Sequence, residues 1–279
     1  MTGRPRFARV FTELTALAVL AMGCGRDGSQ LPGMPPGPMV LVPAGALGER
    51  EVGAFWMDVH EVTNDAFATF VDATGYVTEA ERLGDAAVFV LDEASGAGAW
   101  RLVEGADWRR PEGPGSSIAG RGDHPVVHVS YGDARAYASW AGKRLATEAE
   151  WEHAARGGLT DGVYPWGDTL EPDGRILANY WQGVFPIANE TRDGFFGTAP
   201  VGSFPPNAYG LHDMAGNVWE WTDAEAEGAS VAGVRGGSYL CSRAASGQPP
   251  CEGYRLDARQ SKPVEDANSN VGFRCARSE

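Results

Sequence analysis

Apolar residues in this chain arrive in short bursts broken by glycine and proline, a pattern that predicts short strands and few helices. The runs MVLVPAG at 39–45 and AFWMDVH at 54–60 are bounded by turn formers and read as strands. Over 64–73 the apolar positions Phe67, Phe70 and Val71 share one helical face, Thr63 can cap the start, and Gly75 stops the run. Residues 80–123 hold no sustained period and are expected to be irregular, with Trp100 and Trp108 in polar, Gly/Pro-rich surroundings. A second helix is expected after Ser130, with Asp133 at its third position and a stop at Gly142. A third starts at Thr147, which forms a capping box with Glu150. Residues 157–210 have almost no periodicity, and short strands are expected to return near 200–204, 216–222, 233–239 and 271–276. The prediction is one mixed α/β domain of low regular secondary structure, with no internal repeat.

Composition adds limits. Hydrophobic residues make up 43% of the 279, enough for a substantial core, while 38 glycines and 18 prolines favour loops. The formal net charge of −14 leaves no cationic face to displace counterions from phosphates, so no nucleic-acid partner is expected. Acidity of this kind suits hard cations.

The first 24 residues read as an export signal. Arg4, Arg6 and Arg9 precede an apolar stretch at 10–22, flawed by Glu13 and too short for an ordinary membrane span. Gly23-Cys24 then looks like a lipoprotein cleavage site, and the Pro/Gly-rich residues 25–38 look like a tether. The expectation is an exported monomer, a periplasmic or cell-surface lipoprotein whose only membrane contact is a lipid on Cys24, with its domain at 39–279. Three further cysteines remain, Cys241, Cys251 and Cys275, and an odd number outside the cytoplasm implies at least one free or metal-bound thiol.

The chain has no GxxxxGK[ST] loop, no GxGxxG after a strand and no HExxH, and its five histidines never take zinc-ligand spacing. The informative segment is 235–276. RGGSYLC ends on Cys241, Cys251 follows ten residues later, and NVGFRCA closes the segment. The paired glycines allow positive φ or close backbone approach beside a reactive side chain. Spacing alone leaves the cysteine pair open between a structural disulfide, a soft-metal site suited to Cu(I), and a redox dithiol.

These motifs, together with HPVVHVSYGDARAYASWAGKRLATEAEWEHAARGG (124–158), ANYWQGVFP (178–186), DGFFGTAPV (193–201) and FPPNAYGLHDMAGNVWEWT (204–222), resemble the formylglycine-generating enzyme family, also called sulfatase-modifying factor. GNVWEW and GGSYLC are specific in combination, and the likeness spans about 39–276. It implies a mixed α/β fold of low regular content, related to the C-type lectin fold. It also implies an oxidase that uses O2 and an external reductant to convert a cysteine in a CxPxR motif of an unfolded sulfatase polypeptide to formylglycine.

Carried over position by position, Cys241 and Cys251 match the two active-site cysteines, whose thiolates would hold Cu(I), with the substrate cysteine as third ligand. Ser238 matches a hydrogen-bond donor near the oxygen site, Trp219 the pocket floor, and Arg259 and Asn270 polar residues around the reactive centre. Without the resemblance they would read as a turn hydroxyl, plain core, a surface ion pair and a turn residue. Two calcium sites follow as well. One takes side-chain oxygens of Asn179 and Asp193 with carbonyls of Tyr180 and Phe195; the other takes Asp213 and Glu220 with carbonyls of Gly216 and Val218.

The chain departs from the animal members of the family in three ways. Its loop between the active cysteines is longer, with Pro250 before Cys251. Ala138, Ala155 and Leu256 replace structural cysteines, so Cys275 is expected to be a buried small hydrophobe. The stretch ALGEREVG after MVLVPAG is short. The rival to an oxidase is a non-catalytic, lectin-like binding module with dispensable or disulfide-locked cysteines. A non-haem iron oxidase would need clustered histidines and a carboxylate, which the sequence does not supply.

Overall fold

A computed structural model describes residues 37–92, 97–224, 226, 228–242 and 252–279. The chain divides into a unit ending at Pro32 and a compact unit from Gly33 to Glu279. The export segment, Cys24 and most of the tether expected at 25–38 lie outside the described residues, as does Cys251. Among the described residues no helix is long and apolar enough to cross a membrane.

In chain order, β1 (Met39–Val42) leads into a small hairpin, β2 (Gly45–Leu47) and β3 (Arg50–Val52), which accounts for the short stretch after MVLVPAG. Then come β4 (Phe55–Asp58), α1 (Asn64–Thr74) and α2 (Glu79–Leu83). A long hairpin follows, β5 (Asp85–Asp92) with β6 (Ala97–Glu104). The other helices are α3 (Tyr131–Trp140) and α4 (Glu148–Arg156), separated by β7 (Arg144–Leu145). Residues 157–210 carry only the two-residue strands β8 (Gly183–Val184) and β9 (Ala188–Asn189) and one turn of 3-10 helix. The last strands are β10 (Trp219–Trp221), β11 (Val231–Arg235), β12 (Gln260–Pro263), β13 (Val271–Gly272) and β14 (Cys275–Ser278).

Two four-stranded sheets organise the chain. One has the order β1-β4-β14-β7, so the C-terminal strand lies between β4 and β7, far earlier in the chain. The other has the order β12-β11-β10-β13, with β10 and β13 parallel. The helices form where expected. Thr63 accepts from Ala66 N, Gly75 closes α1 in the left-handed region, and Thr147 and Glu150 complete a capping box on α4. Ser130 and Asp133 make a second box on α3.

An aromatic cluster ties α1 to α3 and to the last β segment. Phe67 packs against Phe70, Trp108, Tyr137 and Phe273 at ring separations from 5.2 to 6.4 Å. Aromatic pairs at such distances each add about 0.5–1.5 kcal/mol beyond their buried area.

The expectation for 80–123 needs correction. Thr78 and Glu81 form a capping box on α2, and β5 and β6 pair over eight residues each. Alanine and glycine at 86–87 and 97–99, and wet faces on both strands, hid the alternation. Trp108 is buried in the aromatic core, with the Arg109 guanidinium 4.1 Å above its ring. Residues 200–204 form turns rather than a strand. The run 271–276 divides between two sheets at Phe273 and Arg274.

Cys275 is a free, fully buried thiol, as expected, and burial pushes its pKa well up. Ala138, Ala155 and Leu256, the positions that lack its partners, are themselves buried.

Candidate active site

The site is built where β11 ends. Gly236 and Gly237 both take positive φ, 92° and 75°, and turn the chain away from the sheet. A Cβ on Gly237 would sit 2.7 Å from Tyr254 N, and one on Gly253 would meet the Trp219 ring at 2.5 Å. The two backbones touch because neither residue has a side chain, and Trp219 covers the junction. The close approach expected for the RGGSYLC glycines is present.

Past this turn Ser238 is fully buried, and Cys241 N donates to Ser238 O at 2.8 Å. Cys241 O accepts from Trp181 N at 2.8 Å. Ser238 Oγ accepts from Asn270 Nδ2 at 2.9 Å and from Leu240 N at 3.3 Å. Both acceptor directions of the hydroxyl are therefore filled, and its own proton remains to be donated. Asn270 is in turn fixed by its backbone, because Asn270 O accepts from Trp219 N at 2.9 Å.

Trp219, Ser238, Cys241 and Asn270 line one cavity of about 250 Å³. Its other walls include Phe89, Trp100 and Phe185, and Gln260 with Lys262. An apolar cleft of about 240 Å³ adjoins it, sharing Phe89 and Leu240 and running past Trp181, Pro186 and Phe196. Cys241 is engaged in a disulfide. A soft ion needs thiolates, so these residues fit copper only after reduction.

Arg259 is not brought to this cavity. Its side chain is 72% exposed, and its guanidinium lies 3.7 Å from Glu148 in a separate shallow depression. Arg259 immediately precedes β12, where alternate side chains point to opposite faces: Gln260 and Lys262 line the cavity, while Ser261 lines the depression that holds Arg259 and Glu148. The surface ion pair is the reading that holds for Arg259.

The residues expected to hold calcium gather beneath this turn. In the first group Asp193 accepts from Tyr180 N at 3.3 Å and from Phe195 N at 3.0 Å. The Gln182 amide nitrogen donates to both Tyr180 O and an Asp193 carboxylate oxygen, a donor standing where two oxygens converge. Asn179 is buried and donates to Gly197 O at 2.8 Å and to Asn217 Oδ1 at 3.2 Å.

In the second group Glu220 is gripped by Arg274 through two 2.7 Å contacts and by Trp151 Nε1 at 2.8 Å. Asp213, at φ 55°, accepts from Gly202 N at 2.6 Å. Gly216 lies against Asn179, where a Cβ would meet Asn179 O at 2.2 Å. Val218 is fully buried between Asn217 and Trp219.

Glu61 joins the second group and was not anticipated. It is fully buried; one oxygen accepts from Asn217 Nδ2 at 3.0 Å, and the other has no partner among the described residues. Burial, then the nearby Asp213, push its pKa well above the usual carboxylate range, and burial raises Asp213 too. Three buried carboxylates face one guanidinium, so the excess charge calls for a proton or a cation. No three His, Cys, Asp or Glu among the described residues form a ligand set by themselves. Carbonyl and amide oxygens would have to complete any site, as calcium accepts. Asn217 links both groups to the active turn, because its carbonyl accepts from Tyr239 N at 2.9 Å and Gly216 N donates to Gly236 O at 2.8 Å.

The profile of the family described as "Sulfatase-modifying factor enzyme 1-like domain" matches residues 30–279. The chain belongs to this formylglycine-generating enzyme family. It is 51% identical over 248 residues to the formylglycine-generating enzyme of Streptomyces coelicolor, covering 80% of this chain and 77% of that one. It is also 44% identical over 246 residues to a Bos taurus protein named inactive C-alpha-formylglycine-generating enzyme 2, covering 83% and 80%. Among solved structures PvdO from Pseudomonas aeruginosa superposes with a TM-score of 0.58 at 26% identity, covering 86% of this chain and 94% of that one. The mixed α/β fold with few helices is the family's fold.

Sequence reasoning placed Trp219, Ser238, Cys241 and Asn270 together. It missed Phe89, Gln182, Gln260, Lys262 and Glu61. Each of these reaches the site through contacts distant in sequence, which a local pattern does not show.

Proposed function

We propose that this chain is an oxidase that converts a cysteine in a CxPxR segment of an unfolded sulfatase polypeptide to formylglycine, using O2. The observation that carries the reading is the cavity where Cys241, Ser238, Asn270 and Trp219 meet beside a cleft able to take extended chain. Oxidising a cysteine side chain to an aldehyde, with sulfur leaving as hydrogen sulfide, releases two electrons. Reducing O2 to water takes four, so an external reductant supplies the other two. The same reductant would free Cys241 from its disulfide.

Cys241 and Cys251 would hold Cu(I), which supplies the one-electron chemistry that O2 requires. The remaining work belongs to the protein. Ser238 keeps its proton for an oxygen or sulfur in the cavity, because Asn270 and Leu240 fill its acceptor sites. Asn270 positions Ser238, and Trp219 floors the cavity and keeps water off its inner side. Calcium at the two lower groups would hold the turn from beneath. Export to the periplasm or cell surface as a lipid-anchored monomer belongs to the same reading, since oxygen and copper are available there.

The disulfide at Cys241 and the inactive relative favour a second reading, a binding module without turnover. One experiment separates them. The protein is incubated with Cu(I), O2, a thiol reductant and a CxPxR peptide, and the product is read by mass spectrometry. Conversion of the cysteine to an aldehyde is expected, and Cys241→Ser and Cys251→Ser should each abolish it. A folded, copper-loaded protein that leaves the peptide unchanged would overturn the oxidase reading.

A further inference from the structure

The cavity at Cys241 differs in charge from the chain as a whole. The chain carries a formal charge of −14, yet among the described residues that line this cavity there is no carboxylate, and the one charged side chain is Lys262. Lys262 sits on β12, the edge strand of its sheet, opposite Ala232. The pleat that removes Arg259 from the site is the one that brings Lys262 in. Arg259 meets Glu148, whereas Lys262 makes no ion pair or hydrogen bond among the described residues. The nearest charge acting on it is Asp266, in the turn that follows its strand, where Asp266 N donates to Pro263 O. Lys262 is half-buried, and burial lowers its pKa from the ordinary lysine value. The adjoining cleft differs: its Arg121 and Glu112 lie 3.4 Å apart and offset each other.

An unpaired, partly desolvated ammonium beside an aromatic wall is worth more than a surface lysine, because solvent screens it less. Among the described residues no side chain pairs with it directly, and only the Asp266 charge acts on it. Resting on the reading of the cavity as the place where a peptide cysteine is oxidised, we propose that Lys262 is a specificity-determining residue that favours substrate polypeptides carrying an acidic side chain next to the reacting cysteine. A carboxylate there would pair with Lys262, and a lysine there would be repelled. Phe89, Trp100 and Phe185, which line the same cavity, provide apolar contact that is indifferent to charge.

The test uses the full protein and three fluorescent CxPxR peptides in which the reacting cysteine is replaced by serine, so binding is read by anisotropy without turnover or copper. The residue beside that position is Glu, Gln or Lys, and both flanking positions are tried. The Glu peptide is expected to bind about tenfold more tightly than the Lys peptide at low salt, a difference of about 1.4 kcal/mol. The ratio should fall toward one in Lys262→Met, persist in Lys262→Arg, and shrink in high salt. A ratio unchanged in Lys262→Met, or no preference at either flank, overturns the role of Lys262 while leaving the substrate reading in place. Failure of all three peptides to bind overturns the substrate reading and the inference with it.

Discussion

The helix-centred core around Phe67 and the loop-built half around Cys241 solve one problem by different means. In the first, side chains recur at helical spacing, and Phe67, Tyr137 and Phe273 pack into a continuous apolar cluster. Backbone groups there are satisfied locally by α1 and α3 and their caps. In the second, residues 157–217 form almost no ladder, and the chain is held by buried amides and carboxylates: Asn179, Gln182, Asp213, Asn217, Glu220 and Glu61. A loop-built region can place reactive groups at angles that a helix or sheet forbids, but its polar atoms must then be satisfied one by one.

The comparison is tested hardest by one substitution in each half. Phe67→Ala should cost roughly 3–5 kcal/mol through the cavity it leaves. Arg274→Met should cost about as much for a different reason, because it leaves three buried carboxylates without their guanidinium. Denaturant unfolding measures both. Added calcium should recover part of the Arg274→Met loss and none of the Phe67→Ala loss.

Chelation comes next. If calcium occupies the two lower groups, EDTA should remove about 2.7 kcal/mol per site at a prior concentration of a hundred times the dissociation constant. Hydrogen exchange should then rise in residues 178–217 while α1 and α3 stay protected. Uniform loosening of both halves would remove the distinction between them.

A smaller effect is expected at Asn270. Asn270→Ala removes the donor to Ser238 Oγ and should cost about 1 kcal/mol of stability, with a loss in kcat larger than any change in KM. An equal loss in Phe67→Ala kinetics at matched stability would show that the site depends on global rigidity rather than on this contact.

The smallest effect is in pH. His128 is fully buried with Nε2 2.7 Å from Pro111 O, and burial lowers its pKa from the usual 6.5. The unfolded chain therefore takes up a proton below pH 6.5 that the folded chain refuses. Stability from this group is complete above that pH and is lost as pH falls, by at most about 1.4 kcal/mol per pH unit. His124, lowered mainly by burial, adds to the same slope. Chemical denaturation in His128→Gln should show a shallower fall between pH 6.5 and the lowered pKa.

Much of the site was legible because its residues are local. The glycines before Ser238, and Cys241 three residues on, act through a single turn. The helices were legible because caps and periodicity are properties of ten consecutive positions. The hairpin β5–β6 was not, because alanine and glycine blurred its alternation and neither strand has a fully apolar face. Arg259 was misplaced because a resemblance fixes a column in a sequence, whereas the pleat of β12 decides which way that column faces.

By itself, then, the sequence determined the family, the capped helices and the glycine turn that leads to Ser238 and Cys241, each of which depends on neighbours along the chain. Only the tertiary structure decided that Lys262 rather than Arg259 faces the cavity, that one Glu61 oxygen lacks a partner among the described residues beside Asp213, and that Trp108 belongs to the core. Those facts depend on partners dozens to hundreds of residues away, and a charge or a ring shows its role only once its surroundings, wet or buried, are known.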